Sequence, residues 1–389
     1  MSIISLRPHQ DSANVNMAEF NKGVVVMPTG SGKTYTMVAD AARVFESTTD
    51  KTIVVVAPTI VLTNQLSREF LDIMDVKNVM HVHSGGTRHF TSTHHQDIWG
   101  WCQFTTGHKL IFTTYHSLHR IQQSLINVDT IYFDESHNSV KRQWFDTVSH
   151  FSRTAGRCYF FTASPKHSVT PDKPGMNNAE VYGEVICEVP TTEMIKEGYI
   201  VPPTLHTITI DKDKIVSGKY PAEVDINHLI NAIGEHKLNS IMVSCKNTTQ
   251  LYHITNSERF TTYCDDNDYA IYSICSRYGC FINNNKVRRD VMFKHMREND
   301  GKFILFHIET CCEGINLPKL DGIVMLKKLS TIKLVQSIGR VLRLSEGKTE
   351  GKVILPMYSS YLKKTENSVM NMMERVYELG QTPVEIIRR

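Results

Sequence analysis

An apolar run, Gly23-Val24-Val25-Val26, leads into Met27-Pro28-Thr29-Gly30-Ser31-Gly32-Lys33-Thr34, and the spacing from Tyr35 to Phe45 predicts a helix directly after it. Strand, Gly-rich turn, Gly-Lys-Thr and helix is the local context that a phosphate-binding loop requires. Glycines let backbone N–H groups curl around a phosphate, and the helix N-terminus adds the positive end of its dipole. Lys33 would then reach the β- and γ-phosphates of a nucleotide, and the Thr34 hydroxyl would ligate Mg²⁺. Met27 stands where the general pattern has Gly. The competing reading is an ordinary strand-to-helix turn, which leaves the Gly-x-Gly-Lys-Thr order unexplained.

The rest of the chain repeats an alternation. Thr52–Ala57 is a continuous β-branched run, and Asn78–His83, Lys109–Thr114, Thr130–Phe133 and Arg157–Phe161 are further short apolar runs. Helical spacing, as in Ile60–Met74, separates most of them. Strands without polar alternation are buried on both faces, which implies a parallel sheet. With 389 residues the chain suggests two or three domains. The pattern weakens over 201–232, around Pro202-Pro203 and the charged run Asp211-Lys212-Asp213-Lys214, and then restarts. Ser240–Cys245, Tyr269–Cys275, Lys302–Ile308, Gly322–Leu326 and Lys352–Leu355 read as strands, with helices at Lys286–Asn299 and Thr331–Leu342. The expected fold is α/β, with two doubly wound parallel sheets in tandem over residues 1–200 and 201–389.

Polar clusters fall at the ends of these strands, where such sheets bind ligands. Asp134-Glu135-Ser136-His137 follows the strand Thr130–Phe133. Asp134 can hold Mg²⁺ opposite Thr34, and Glu135 can orient and deprotonate an attacking water. The competing reading is a solvated acidic pair. Thr162-Ala163-Ser164-Pro165 ends another strand and offers two hydroxyls as a relay, or a simple polar turn. Gln10, upstream of the loop, can present a donor and an acceptor to an adenine edge, or lie solvated. Arg340 and Arg343, three apart on an expected helix with Gly339, would share one face able to grip a triphosphate. A basic face in water is the alternative.

Other features point to less. The histidines at 81, 83, 89, 94 and 95 lack paired metal-ligand spacing and read as a polar loop insertion. Nine scattered cysteines with no secretory signal lead to the expectation of a reducing, intracellular compartment. Lys plus Arg total 43 against 40 Asp plus Glu, a formal charge of +3, which leaves room for a local basic groove. The Met-rich stripe at Val369–Leu379 reads as core or interdomain packing.

The order of these clusters resembles a superfamily 2 helicase or translocase of the DExH type. Leu6-Arg7-Pro8-His9-Gln10 is similar to its adenine-sensing segment and Met27–Thr34 to motif I. Ala57-Pro58-Thr59 resembles motif Ia, Thr113-Thr114-Tyr115 motif Ib, Asp134–His137 motif II and Thr162–Pro165 motif III. Ser244-Cys245-Lys246 resembles motif IV, Glu313–Pro318 motif V and Gln336–Arg343 motif VI. Met27, Ser136 and Ser164 depart from the residues common there. The resemblance implies two RecA-like domains with ATP and Mg²⁺ between them. Arg7, Gln10, Thr29, Gly30, Ser31, Gly32, Lys33, Thr34, Gly314 and Asn316 would bind nucleotide. Gln336, Arg340 and Arg343 would close from the second domain, and His137, Thr162 and Ser164 would couple closure to hydrolysis. Thr59, Thr114 and Thr310 would contact nucleic-acid phosphates. DNA is favoured over RNA, because Pro58–Leu62 and Glu197–Pro203 look like DNA-acting relatives. A monomer is expected, of cellular, phage or viral origin. The alternatives are an ATP-gated nucleic-acid clamp or annealing factor, and the motor subunit of a restriction-type complex.

Overall fold

The structure is a computed structural model that describes residues 5–170, 173–210, 222–308, 317, 319–327, 331–358 and 385–387. It divides into two compact units, Met1–Pro190 and Thr191–Arg389. The short helix Thr191–Lys196, which the sequence reading kept with the first half, groups with the second unit.

In the first unit the strands are β1 (Lys22–Val26), β2 (Thr52–Ala57), β3 (Asn78–Val82), β4 (Phe90–Thr91), β5 (Lys109–Thr114), β6 (Thr130–Phe133), β7 (Arg157–Thr162) and β8 (Val185–Glu188). They form one sheet in the order β4-β3-β5-β2-β6-β7-β1-β8, and every pairing is parallel. All residues of β2, β5 and β6 are buried, so their unbroken apolar runs are the signature of strands covered on both faces. Val54, Val56, Ile111, Ile131, Phe133 and Phe160 fill one face, each contributing on the order of 1.5–3 kcal/mol by burial.

A charged network ties the other face together. Asp40, fully buried on the helix Lys33–Ser47, accepts hydrogen bonds from Tyr132 Oη of β6 at 2.6 Å and Arg157 Nη2 of β7 at 2.7 Å. Arg157 also donates to the Met17 carbonyl at 2.9 Å, which anchors the helix Pro8–Glu19.

His81 and His83 are not in a polar loop. Both are buried at the end of β3, with His81 1% exposed and His83 2%. The Gly85 N–H donates to His83 Nδ1 at 3.1 Å, which leaves the proton on His83 Nε2, 3.0 Å from His81 Nδ1. His81 Nε2 then meets Ser67 Oγ at 3.0 Å. Burial, then the neighbouring His83 and His89, push His81 down to about 3. A neutral imidazole chain thus satisfies the core, and among the described residues no group of His, Cys, Asp and Glu is arranged to hold a metal.

The second unit contains β9 (Pro203–Ile210), β10 (Ser240–Ser244), β11 (Tyr269–Cys275), β12 (Gly279–Ile282), β13 (Asn285–Val287), β14 (Lys302–His307), β15 (Gly322–Met325), β16 (Gly351–Tyr358) and β17 (Glu385–Ile387). Their order is β13-β12-β11-β14-β10-β15-β16-β9-β17. Only β12, with β11 and β13, pairs antiparallel among the described strands. Two elements correct the sequence reading. The stretch taken as a weak join holds β9 and the helix Ala222–Glu235. The helix expected from Lys286 starts at Arg289, because Asn285–Val287 pair with β12. Cys264, Cys275 and Cys280 are buried thiols. Residues 369–379 lie outside the described residues, among which no helix is long and apolar enough to cross a membrane.

Asp40→Ala leaves Arg157 buried without its carboxylate and should cost about 3 kcal/mol. The check is the urea midpoint of unfolding; a midpoint matching wild type would contradict the network's role.

Candidate nucleotide site

The Gly-rich turn Met27–Thr34 lies where β1 hands over to the helix Lys33–Ser47. Gly30 (φ 89°) and Gly32 (φ 88°) are both left-handed, a conformation open to glycine at little cost. Gly32 needs glycine for a second reason: a Cβ there would stand 2.2 Å from Gln10 Nε2. Lys33 Nζ folds over the loop and donates to the Met27 carbonyl at 3.3 Å. The Thr29 Oγ1 and Ser31 Oγ atoms are buried without a hydrogen-bond partner. Hydroxyl groups left unsatisfied around left-handed glycines and a lysine fit a phosphate-bearing ligand. Thr34 is the second residue of the helix and half-buried.

Gln10 braces this loop. Pro8 opens its helix, where a missing N–H is harmless, and Gln10 Oε1 accepts from the Arg7 N–H at 2.9 Å. Gln10 Nε2 donates to the Ser31 carbonyl at 3.0 Å. The amide that the sequence assigns to an adenine edge is therefore spent on the loop and on its own helix start. His9 Nε2 reaches the same Ser31 carbonyl at 2.9 Å, and Asn14 Nδ2 bonds the Gln10 carbonyl at 3.0 Å. Sequence reasoning passed over His9 and Asn14. Asn14 lies one helical turn after Gln10, a spacing that was available as a signal.

Asp134 follows β6 and is 6% exposed. Burial, then the adjacent Glu135 charge, raise its carboxyl to about 7 against the pull of Lys33. A carboxylate so placed is one whose charge a divalent cation would restore. Tyr115, also unanticipated, fixes this strand end by donating to the Asp134 carbonyl at 2.9 Å. Glu135 is left-handed (φ 47°, ψ 49°), a strained setting for a non-glycine residue. The turn sets its carboxylate 3.4 Å from His137 Nδ1. Asn138 Nδ2 donates to His137 Nε2 at 3.2 Å, so the Nδ1 atom carries the proton. That atom lies 3.3 Å from Thr162 Oγ1, which also accepts from the Ser164 N–H at 3.1 Å. Burial lowers His137 despite Glu135, keeping it neutral. The structure thus brings Glu135, His137, Thr162 and Ser164 into one chain.

Other expected residues are placed differently. Thr59 caps the helix Ile60–Leu71, accepting from the Leu62 N–H at 3.3 Å. Thr114 is 4% exposed and its hydroxyl is used within the turn to Ser117, so it is not presented at the surface. Gln336 and Arg340 lie on the helix Thr331–Val341. Arg343 follows its end, so the one-face argument for the two arginines does not hold in the structure. The Arg340 charge is felt by His307, which burial, then Lys327 and Arg340, hold down to about 3, and which meets Ser244 Oγ at 2.7 Å. Thr310, Gly314 and Asn316 lie outside the described residues.

Residues 3–167 match the family of the type III restriction enzyme res subunit. The first unit carries a superfamily 2 helicase-type domain. Solved structures extend the likeness in fold to both units. The ATP-dependent type ISP restriction-modification enzyme LlaBIII bound to DNA matches with a TM-score of 0.77 and 18% identity, over 98% of this chain and 31% of that one. A fragment of a putative HsdR subunit of a type I restriction enzyme from Vibrio vulnificus matches at 0.64 and 14% identity, over 98% and 67%. The Hef helicase domain of Pyrococcus furiosus matches at 0.57 and 13% identity, over 94% and 97%. The chain therefore spans about a third of the type ISP enzyme and nearly all of the Hef helicase domain. No curated protein sequence matches it. The two units are RecA-like domains in tandem.

The Gly32→Ala variant tests how the first unit holds its loop. It should destabilise the chain by only about 1–2 kcal/mol while speeding amide hydrogen exchange across residues 29–34. Adding Gln10→Ala should remove the collision and leave only the backbone strain. Unchanged exchange in Gly32→Ala would show that the loop does not depend on glycine there.

Proposed function

We propose that the chain is an ATP-dependent nucleic-acid helicase or translocase acting on DNA. The observation that carries this reading is the convergence, on one sheet's C-terminal edge, of the left-handed Gly30–Gly32 loop and the buried Asp134 with Glu135 beside it. Lys33 would neutralise the β- and γ-phosphates, and Thr34 and Asp134 would hold Mg²⁺. The bound cation would supply charge stabilisation at the transferred phosphoryl. Glu135 would orient and deprotonate the attacking water, its carboxylate held by His137. Arg7 would line the base side while Gln10 holds the loop in place, and Gly314 and Asn316 would line the ribose and phosphate side. Gln336, Arg340 and Arg343 of the second unit would close onto the γ-phosphate, and Glu135, His137, Thr162 and Ser164 would transmit that closure. Such closure is a nucleotide-biased two-state change, the physical requirement of a motor. Thr59 and Thr310 would touch the track through its phosphates, so binding would be sequence-tolerant and weaken with salt. Thr114 would join them only after its turn opened.

A second reading, the motor of a restriction-type complex, is favoured by the fold shared with type ISP enzymes. Nuclease and methylase functions would then come from elsewhere.

Steady-state ATPase with single- and double-stranded DNA and RNA tests the proposal, with Glu135→Gln as the blank. Stimulation by DNA is expected, and Lys33→Ala should lower turnover on the order of 100-fold or more. A low rate unchanged by every polymer, or full activity in Lys33→Ala, would overturn it.

A further inference from the structure

The second unit contains a cavity that none of the motifs above uses. It has a volume of about 500 Å³ and lies between the helix Thr248–Thr255, the end of β11 and the β12–β13 hairpin. That size is ordinary for a small-ligand site.

The hairpin is built to close it. Asn283 and Asn284 are both left-handed, with φ 44° and 62°, as a tight two-residue turn requires. Asn283 exchanges hydrogen bonds with Ile271 of β11: its N–H donates to the Ile271 carbonyl and its Oδ1 accepts from the Ile271 N–H, both at 2.8 Å. Asn284 Nδ2 donates to the Thr255 carbonyl at 3.1 Å, pinning the turn to the helix end. Three elements are thereby held as the walls of a preformed space.

The lining has a definite chemistry. No charged side chain contributes to it. Phe281 and the buried Cys275 supply apolar surface, and Ser273, Thr248 and Thr249 supply hydroxyls. Two large aromatic lining residues remain exposed, Tyr252 at 63% and Tyr278 at 50%. Arg277 lies over the Tyr278 ring at 5.3 Å, and exposed Lys286 stands on the facing strand of the same hairpin. A neutral cavity with tyrosines, hydrogen-bonding hydroxyls and positive charge beside it matches a planar, uncharged heteroaromatic ring attached to an anion.

We infer that this cavity receives an unpaired nucleobase of the strand on which the motor acts. Tyr252 and Tyr278 stack on the ring, and Arg277 and Lys286 meet the flanking phosphates. Stacking tolerates any base because each has a π-face, so the site grips the strand without reading its sequence. The inference rests on the nucleic-acid motor reading and adds to it a subsite for a base in the second unit.

The test uses the full chain and a short single-stranded DNA, compared with an abasic strand of the same length and charge. Wild type should bind the base-bearing strand about ten-fold more tightly than the abasic one. Tyr252→Ala, Tyr278→Ala and the cavity-filling Thr249→Trp, all at exposed positions, should bring that ratio close to one. Their affinity for the abasic strand and their ATPase rate without nucleic acid should stay at wild-type level. DNA-stimulated ATPase with no base discrimination in wild type would overturn the inference and leave the motor reading standing. Variants that keep the full ratio, or weaken both strands equally, would overturn it as well. Free thymidine that saturates the cavity while the strand ratio is indifferent to the variants would make it a small-molecule site instead. If wild type binds neither strand and shows no stimulated ATPase, the motor reading fails and the inference falls with it.

Discussion

The Ser31 carbonyl is the point on which the first unit's site turns. Gln10 and His9 both hold it, and Gly32 follows with a backbone that an L side chain resists. A phosphate loop can present converging N–H groups only if its own carbonyls are directed elsewhere, and these two side chains direct one of them. The Pro8–Glu19 helix that carries them is itself held from below, where Arg157 bonds the Met17 carbonyl and the buried Asp40 carboxylate. Asp40 lies on the helix that the loop begins. One buried carboxylate therefore links the helix after the loop, the helix that braces it, and the strand bearing Tyr132, directly after which Asp134 stands.

Strain and burial concentrate at that strand end. Glu135 occupies a left-handed conformation, and Asp134 is pushed up to about 7 by burial and by Glu135 beside it. Neither arrangement stabilises the folded chain in isolation. Both fit a site whose charges are completed by a ligand, which is where such costs are tolerated in folded proteins. The neutral His137 then carries the position of Glu135 to Thr162 through a single protonated nitrogen.

The central strands were legible because they are simple. Thr52–Ala57, Lys109–Thr114 and Thr130–Phe133 are buried along their whole length, and short β-branched and aromatic runs of this kind suit a sheet covered on both faces. The polar clusters at their ends followed from the topology of parallel sheets. β9 was hidden because Pro202-Pro203 reads as a break, although proline is tolerated at the first residue of a strand and β9 begins at Pro203. The hairpin was hidden by the helical spacing beyond it, although Asn283-Asn284-Asn285 directly after the apolar Phe281-Ile282 is a turn signal. His81 and His83 misled for a different reason. Histidine was taken as polar, and only the hydrogen-bond chain through Ser67 and Gly85 shows how two imidazoles enter a core uncharged. Gln10 was found by position, while its use as a brace depends on a contact that no spacing reveals.

The account stands or falls on whether the braced loop is a nucleotide site. Calorimetric titration of Mg²⁺–ATP into wild type and Lys33→Ala, each checked by circular dichroism for an unchanged fold, measures that directly. The account predicts saturable binding of one nucleotide in wild type, weakened when Mg²⁺ is withheld and lost in Lys33→Ala. Equal binding by the two proteins would contradict it.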